Sequence, residues 1–114
     1  MRPFGAYSLP VPRSERIKIR VVTREGVQAR RVLDTLRDYT ADRNPWTVRT
    51  RRPLVLDHAS RRAEGVRFEF KADGDDVSVL IQGGGARLGL AYAATLLANT
   101  RFAELIASFT VELP

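Results

Sequence analysis

The stretch from Ala86 to Thr100 constrains the fold of this chain more than any other, because Arg87 is its only charged residue. Read as a helix, it shows apolar side chains on almost every side. Gly85, Gly89 and Ala93 recur at every fourth position, which on a helix forms a flat ridge that another backbone can approach closely. The pattern therefore predicts close packing of this helix, and a second copy of the chain is one candidate partner.

The composition indicates an ordinary globular protein. The 114 residues fit a single domain, and the balance of 44% apolar and 28% charged residues excludes a disordered chain. The absence of cysteine excludes disulfides, a thiolate nucleophile and a cysteine-ligated metal. No segment reaches the roughly 18 consecutive apolar residues of a membrane span, and no signal-peptide core is present, so we expect a cytoplasmic protein without membrane contact.

The net charge of +6 comes almost entirely from arginine, since only 2 of the 19 basic residues are lysines. A preference of this kind, together with abundant Ala, Leu and Val, is typical of a GC-rich bacterial genome. Genome composition and selection for a ligand therefore both remain open as explanations of the arginine content.

The first half of the chain alternates between strand and helix patterns. Residues 17–22 alternate apolar and basic side chains, which indicates a half-buried strand. Apolar residues at helical spacing then predict a helix over residues 27–40. Residues 46–51 alternate again as a second strand. Three prolines near the N-terminus indicate an irregular arm over residues 1–13, which leaves a single α+β domain over residues 14–114.

The second half contains the clearest hairpin. Residues 66–71 and 77–81 alternate on either side of Asp73-Gly74, a typical hairpin turn. Between the second strand and this hairpin, residues 54–56 are a possible further strand, and residues 57–64 fit a polar loop or a single helical turn. Phe109, Val111 and Leu113 suggest a closing strand after the apolar helix.

This order of elements predicts an open-faced α/β sandwich of the ferredoxin-like kind, in which two helices cover one face of a mainly antiparallel sheet of four or five strands. By phase, the uncovered face is expected to be basic and to carry Lys18, Arg20, Arg49, Arg51, Arg67, Glu69 and Lys71.

Chemistry-bearing motifs are weak. His58 is the only histidine, and neither Asp57 beside it nor Ser60 makes a catalytic triad by sequence alone. The glycines of residues 83–89 precede a helix as in some dinucleotide-binding turns, but the parallel strands of such a site are missing. We therefore expect no enzyme activity, no metal and no cofactor.

Two functions remain. The first is a non-catalytic interaction or regulatory module that associates with itself or with a protein partner through Gly85, Gly89, Tyr92, Ala93 and Leu96. The alternative is binding to nucleic acid phosphates, since arginine forks suit phosphate groups. The candidate contacts for that alternative are Arg20, Arg49, Arg51, Arg52, Arg61, Arg62, Arg67 and Arg87.

Overall fold

The computed structural model of the chain describes residues 15–112. Its strands are β1 (Glu15–Thr23), β2 (Trp46–Arg51), β3 (Leu54–His58), β4 (Arg67–Asp73), β5 (Asp76–Gly83) and β6 (Ile106–Glu112), and its α-helices are α1 (Ala29–Ala41) and α2 (Ala86–Leu97). Two short 3-10 helices, Arg61–Ala63 and Thr100–Phe102, follow β3 and α2. The arm predicted for residues 1–13 and the closing residue Leu113 lie outside the described residues.

The six strands of the described chain form one sheet in the order β2-β3-β4-β5-β1-β6, and every neighbouring pair is antiparallel. This confirms the prediction of an α+β fold with two helices and an antiparallel open sheet. The sequence suggested four or five strands. The count is six because residues 54–58 form a complete strand, paired with β2 on one side and with β4 on the other.

Both helices cover the same face of the sheet. In β1, Ile17, Ile19 and Val21 are buried, whereas Lys18 and Arg20 between them are exposed. Burial of one large apolar side chain contributes roughly 1.5–3 kcal/mol, so this shared layer holds the helices on the sheet. Other members of the layer are Val32, Leu36, Phe68, Phe70, Ala93 and Leu97.

The uncovered face carries charges of both signs, whereas the sequence predicted a basic face. Cross-strand register brings acids and bases together there; for example, Arg20 of β1 lies 3.4 Å from the Asp76 carboxylate of β5. The bases on this face are Arg16, Lys18, Arg20, Arg49, Arg67 and Lys71, and the acids are Asp57, Glu69, Asp73, Asp76 and Glu112. The two signs nearly cancel, so the face as a whole has no strong attraction for phosphates.

Arg51 leaves this face because β2 contains an extra residue. Val48 pairs with Leu56 and Thr50 pairs with Val55, which leaves Arg49 without a residue opposite it. A bulge of this kind reverses the alternation beyond it. Arg51 then pairs with the buried Leu54 and lines a groove beside α1, so the prediction that it lies on the uncovered face is wrong.

Candidate functional site

The small-residue ridge of α2 packs against the chain's own sheet. A β-carbon on Gly89 would lie 3.0 Å from Cγ1 of Val66 and 3.1 Å from Cζ of Phe68, and Ala93 is fully buried. A β-carbon on Gly85 would lie 2.7 Å from the carbonyl oxygen of Arg62, so the glycine lets the first 3-10 helix approach the start of α2. The close packing predicted for this ridge is therefore supplied within one chain.

Tyr92 is three residues after Gly89, so it borders the ridge on the same side of α2, and it is half-buried. Its ring stacks on the imidazole of His58, with the ring centroids 3.9 Å apart and the planes 11° from parallel. Trp46 meets the same imidazole edge to face at 4.8 Å, and its indole also contacts Phe68 of the core at 5.0 Å. Aromatic pairs in these geometries contribute about 0.5–1.5 kcal/mol beyond their buried area. The imidazole is thereby held between β2 and α2.

Ser60 fixes both partners of this stack. Its backbone N–H donates to Nδ1 of His58 at 3.1 Å, and its hydroxyl lies 3.0 Å from the hydroxyl of Tyr92. The same hydroxyl accepts from the backbone N–H of Arg62 and so caps the 3-10 helix. Because Nδ1 accepts this hydrogen bond, the proton of the neutral imidazole lies on Nε2. Burial lowers the pKa of His58, which also favours the neutral ring.

This geometry does not activate Ser60 as a nucleophile. Activation requires the serine hydroxyl to donate to the imidazole that takes its proton. Here the imidazole accepts a hydrogen bond from the backbone N–H of Ser60, and the Ser60 hydroxyl is hydrogen-bonded to the hydroxyl of Tyr92. The cluster holds its side chains in fixed positions.

A second aromatic group lies where α1 ends and α2 is followed by the second 3-10 helix. Nδ2 of Asn99 donates to the hydroxyl of Tyr39 at 2.9 Å, and the Tyr39 ring meets Phe102 edge to face at 5.3 Å. The guanidinium of Arg43 lies 4.6 Å from the centroid of the same ring, a cation–π distance. Tyr39 is therefore fixed by contacts from the segment that follows α2, from the second 3-10 helix and from the loop after α1.

These two groups line one cleft of about 600 Å³. We call it the aromatic cleft and define it by the residues Tyr39, Arg43, Trp46, His58, Tyr92 and Asn99. Leu96, which the sequence placed at an interface, is buried and contributes to the wall. Sequence reasoning identified only Tyr92 and Leu96 of this site, because the others are separated along the chain and converge only through the fold. No local pattern in the sequence links Trp46, His58 and Tyr92.

The predicted arginine-rich loop is divided by β3. Arg51 and Arg52 lie at the turn between β2 and β3, whereas Arg61 and Arg62 lie beyond the far end of β3. Arg49 forms an ion pair with Asp57 at 3.3 Å. The five arginines of residues 49–62 therefore do not form one patch.

Other arginines come together at one end of the sheet. Register places Arg16 and Arg67 on either side of Gln82 near the end of β5, and the first 3-10 helix and the start of α2 lie at the same end. We call this group the basic end and define it as Arg16, Arg61, Arg62, Arg67 and Arg87. Glu15 lies 3.2 Å from Arg87 and neutralises it in part. Within residues 15–112, no carboxylate lies within ion-pair distance of the other four.

In the described part of the chain, no group of three or more His, Cys, Asp or Glu side chains is arranged to hold a metal ion. No helix among residues 15–112 is long and apolar enough to cross a membrane. Comparison of the chain with protein-family models, with curated proteins and with solved structures finds no match.

Proposed function

We propose that this chain is a non-catalytic binding module that acts by self-association, and that two copies pair through their β6 strands. The supporting observation is that β6 carries exposed and partly exposed apolar side chains at an edge of the sheet. Val111 is the one large apolar side chain of residues 15–112 that is clearly exposed, at 37%, and it lies on β6. Phe109 on the same side of the strand is only partly buried. No strand within residues 15–112 pairs with the outer side of β6. An apolar rim next to backbone groups that have no strand partner in this part of the chain is a template for another strand.

The two edges of the sheet differ in a way that favours β6. Natural edge strands are protected from pairing by charges, prolines and bulges. The β2 edge has all three, since Arg49 forms a bulge, Arg51 adds a second charge and Pro45 directly precedes the strand. β6 also has an irregularity near its start, but residues 108–112 pair regularly with β1 and carry a single charge, Glu112. The unprotected edge is the one we assign to association.

The sequence of β6 is self-complementary in one register. With a two-fold axis at Thr110, each Phe109 lies opposite Val111 of the partner copy, and the two Thr110 residues face each other. Pairs of an aromatic with a β-branched residue and pairs of threonines are favourable across antiparallel strands. Closed two-fold pairing of this kind is also the commonest symmetry of soluble oligomers.

We also propose the ferredoxin-like interpretation of the fold as the frame for this edge. The adjacent strands β6-β1-β5-β4 and the two helices between them have the order of that sandwich, and β2 and β3 are then a hairpin inserted after α1. In this interpretation the insertion extends the sheet on the side away from β6. It leaves the β6 edge available for a second copy.

The test compares one substitution at each edge. Val111→Lys places a charge in the proposed interface, and Thr47→Lys places the same charge on β2. In sedimentation equilibrium, wild type and Thr47→Lys should have twice the 12.8 kDa of one chain, and Val111→Lys should have the single mass. Circular dichroism checks that both variants fold. A folded Val111→Lys protein that keeps the double mass would contradict the assignment of β6.

Nucleic acid binding is the second candidate, and the observation that favours it is the basic end. Five arginines with few acids nearby can bind the phosphate backbone without sequence preference. The mixed charge of the uncovered sheet face argues against that face as the contact surface. If the alternative holds, Arg61→Gln together with Arg62→Gln should weaken binding to single-stranded DNA and reduce its salt dependence.

A further inference from the structure

The aromatic cleft has the size of a small-molecule site. Its volume of about 600 Å³ lies within the range of roughly 300–1,000 Å³ typical of ligand pockets. The rings of Tyr39, Trp46, His58 and Tyr92 supply apolar and π surface, and Leu96 adds an aliphatic contact. A planar ring is the ligand shape that such walls accommodate best.

Hydrogen bonds within the protein occupy acceptors at Tyr39, His58 and Asn99, and they leave donors of Tyr39 and His58 available to a ligand. The Tyr39 hydroxyl accepts from Asn99, so its own proton is available. Oδ1 of Asn99 accepts from the backbone N–H of Arg101 at 2.9 Å, which occupies that acceptor. The Nδ1 acceptor of His58 is occupied by Ser60, which leaves an N–H at Nε2. The available protons of the Tyr39 hydroxyl and of His58 Nε2 therefore favour a ligand that supplies acceptors.

The charged residues that line the cleft also favour an anionic ligand. No Asp or Glu is among its lining residues, whereas Arg43 contributes a guanidinium above the Tyr39 ring. Burial lowers the pKa of His58 and favours its neutral ring, so Arg43 is the cationic side chain among the lining residues. A carboxylate or phosphate would find donors from Arg43, and an ammonium group would find no carboxylate.

From these three observations we infer that the aromatic cleft binds a small planar aromatic anion, with the ring against the aromatic walls and the anionic group at Arg43. Aromatic carboxylates and nucleoside monophosphates share this chemistry. The inference is independent of self-association through β6, because the cleft is formed within one chain and lies on the side of the inserted β2–β3 hairpin.

The cleft contains a built-in reporter, since Trp46 is the only tryptophan of the chain. The experiment titrates the full chain with benzoate, with its neutral analogue benzamide and with adenosine monophosphate, and follows tryptophan fluorescence. We expect a saturable change with benzoate or with the nucleotide, and a much weaker response to benzamide. The anion that saturates at the lower concentration identifies the ligand as a carboxylate or a phosphate.

Two variants make the test specific. Arg43→Gln should weaken binding of the anion by at least about tenfold, because a charge-assisted hydrogen bond is lost. Arg31→Gln is the matched control, since Arg31 is an exposed arginine on α1 outside the cleft and should leave the affinity unchanged. The inference is overturned if neither anion gives a saturable change, if benzamide binds as tightly as benzoate, or if both variants lose affinity equally.

Discussion

At the scale of single residues, His58 is the most constrained side chain of the site. It is stacked on Tyr92 and packs edge to face with Trp46, and its Nδ1 accepts a hydrogen bond from the backbone N–H of Ser60. Protonation at Nδ1 would replace this acceptor with a donor that faces another donor. Burial adds to this effect, and the pKa of His58 is lowered from its ordinary value of 6.5.

This shift predicts a pH-dependent stability. The unfolded chain takes up a proton at His58 near pH 6.5, but the folded chain resists it until the pH is lower. The stabilisation is therefore fully present above pH 6.5 and is lost progressively as the pH falls below that value toward the folded pKa.

Urea denaturation at about pH 7.5 and about pH 5.5 measures this loss, in a window above most carboxylate titrations. Wild type should be less stable at the lower pH, and His58→Gln should show a smaller difference between the two conditions. Equal differences in the two proteins would mean that His58 is not the group responsible.

At the scale of elements, the sequence predicts the helices and most strand faces, but it does not predict where a bulge changes the face that a side chain occupies. The alternation in β1 and in the β4–β5 hairpin is confirmed, because the apolar side chains predicted to share one face of each strand are buried; on the opposite face of β5, Ser78 is buried as well. The direction of Arg51 was missed, since a single extra residue at Arg49 reverses the alternation without any signal in the pattern. The sequence also did not determine which element packs on the small-residue ridge of α2, because small residues allow close approach to any backbone.

Packing of α2 on the sheet predicts that Gly89 tolerates no large side chain. Gly89→Leu should lower the free energy of unfolding by at least about 1–3 kcal/mol, because Val66, Phe68 and Ile81 occupy the space it needs. Gly84→Ala is the control, since a β-carbon at Gly84 meets nothing within 4 Å. Thermal unfolding of both variants measures the difference, and an unchanged melting temperature in Gly89→Leu would show that the ridge faces outward after all.

At the scale of the whole molecule, the site arises where distant parts of the chain converge. The aromatic cleft joins the end of α1, both strands of the β2–β3 hairpin and α2, and no local pattern links Tyr39 with Tyr92. The regrouping of arginines at the basic end follows in the same way from strand register. Sequence reasoning identified the residue types, and tertiary structure determines which of them act together.

Self-association of the folded chain would double its mass in solution, so a measurement of that mass is the decisive experiment. Size-exclusion chromatography with light scattering and absorbance at two wavelengths should be run at low and at high salt. We expect pure protein with twice the mass of one 12.8 kDa chain, unchanged by salt because the proposed interface is apolar and backbone-mediated. A monomer at both salt concentrations would contradict it, and a monomer that carries nucleic acid removed by salt would favour the basic end instead.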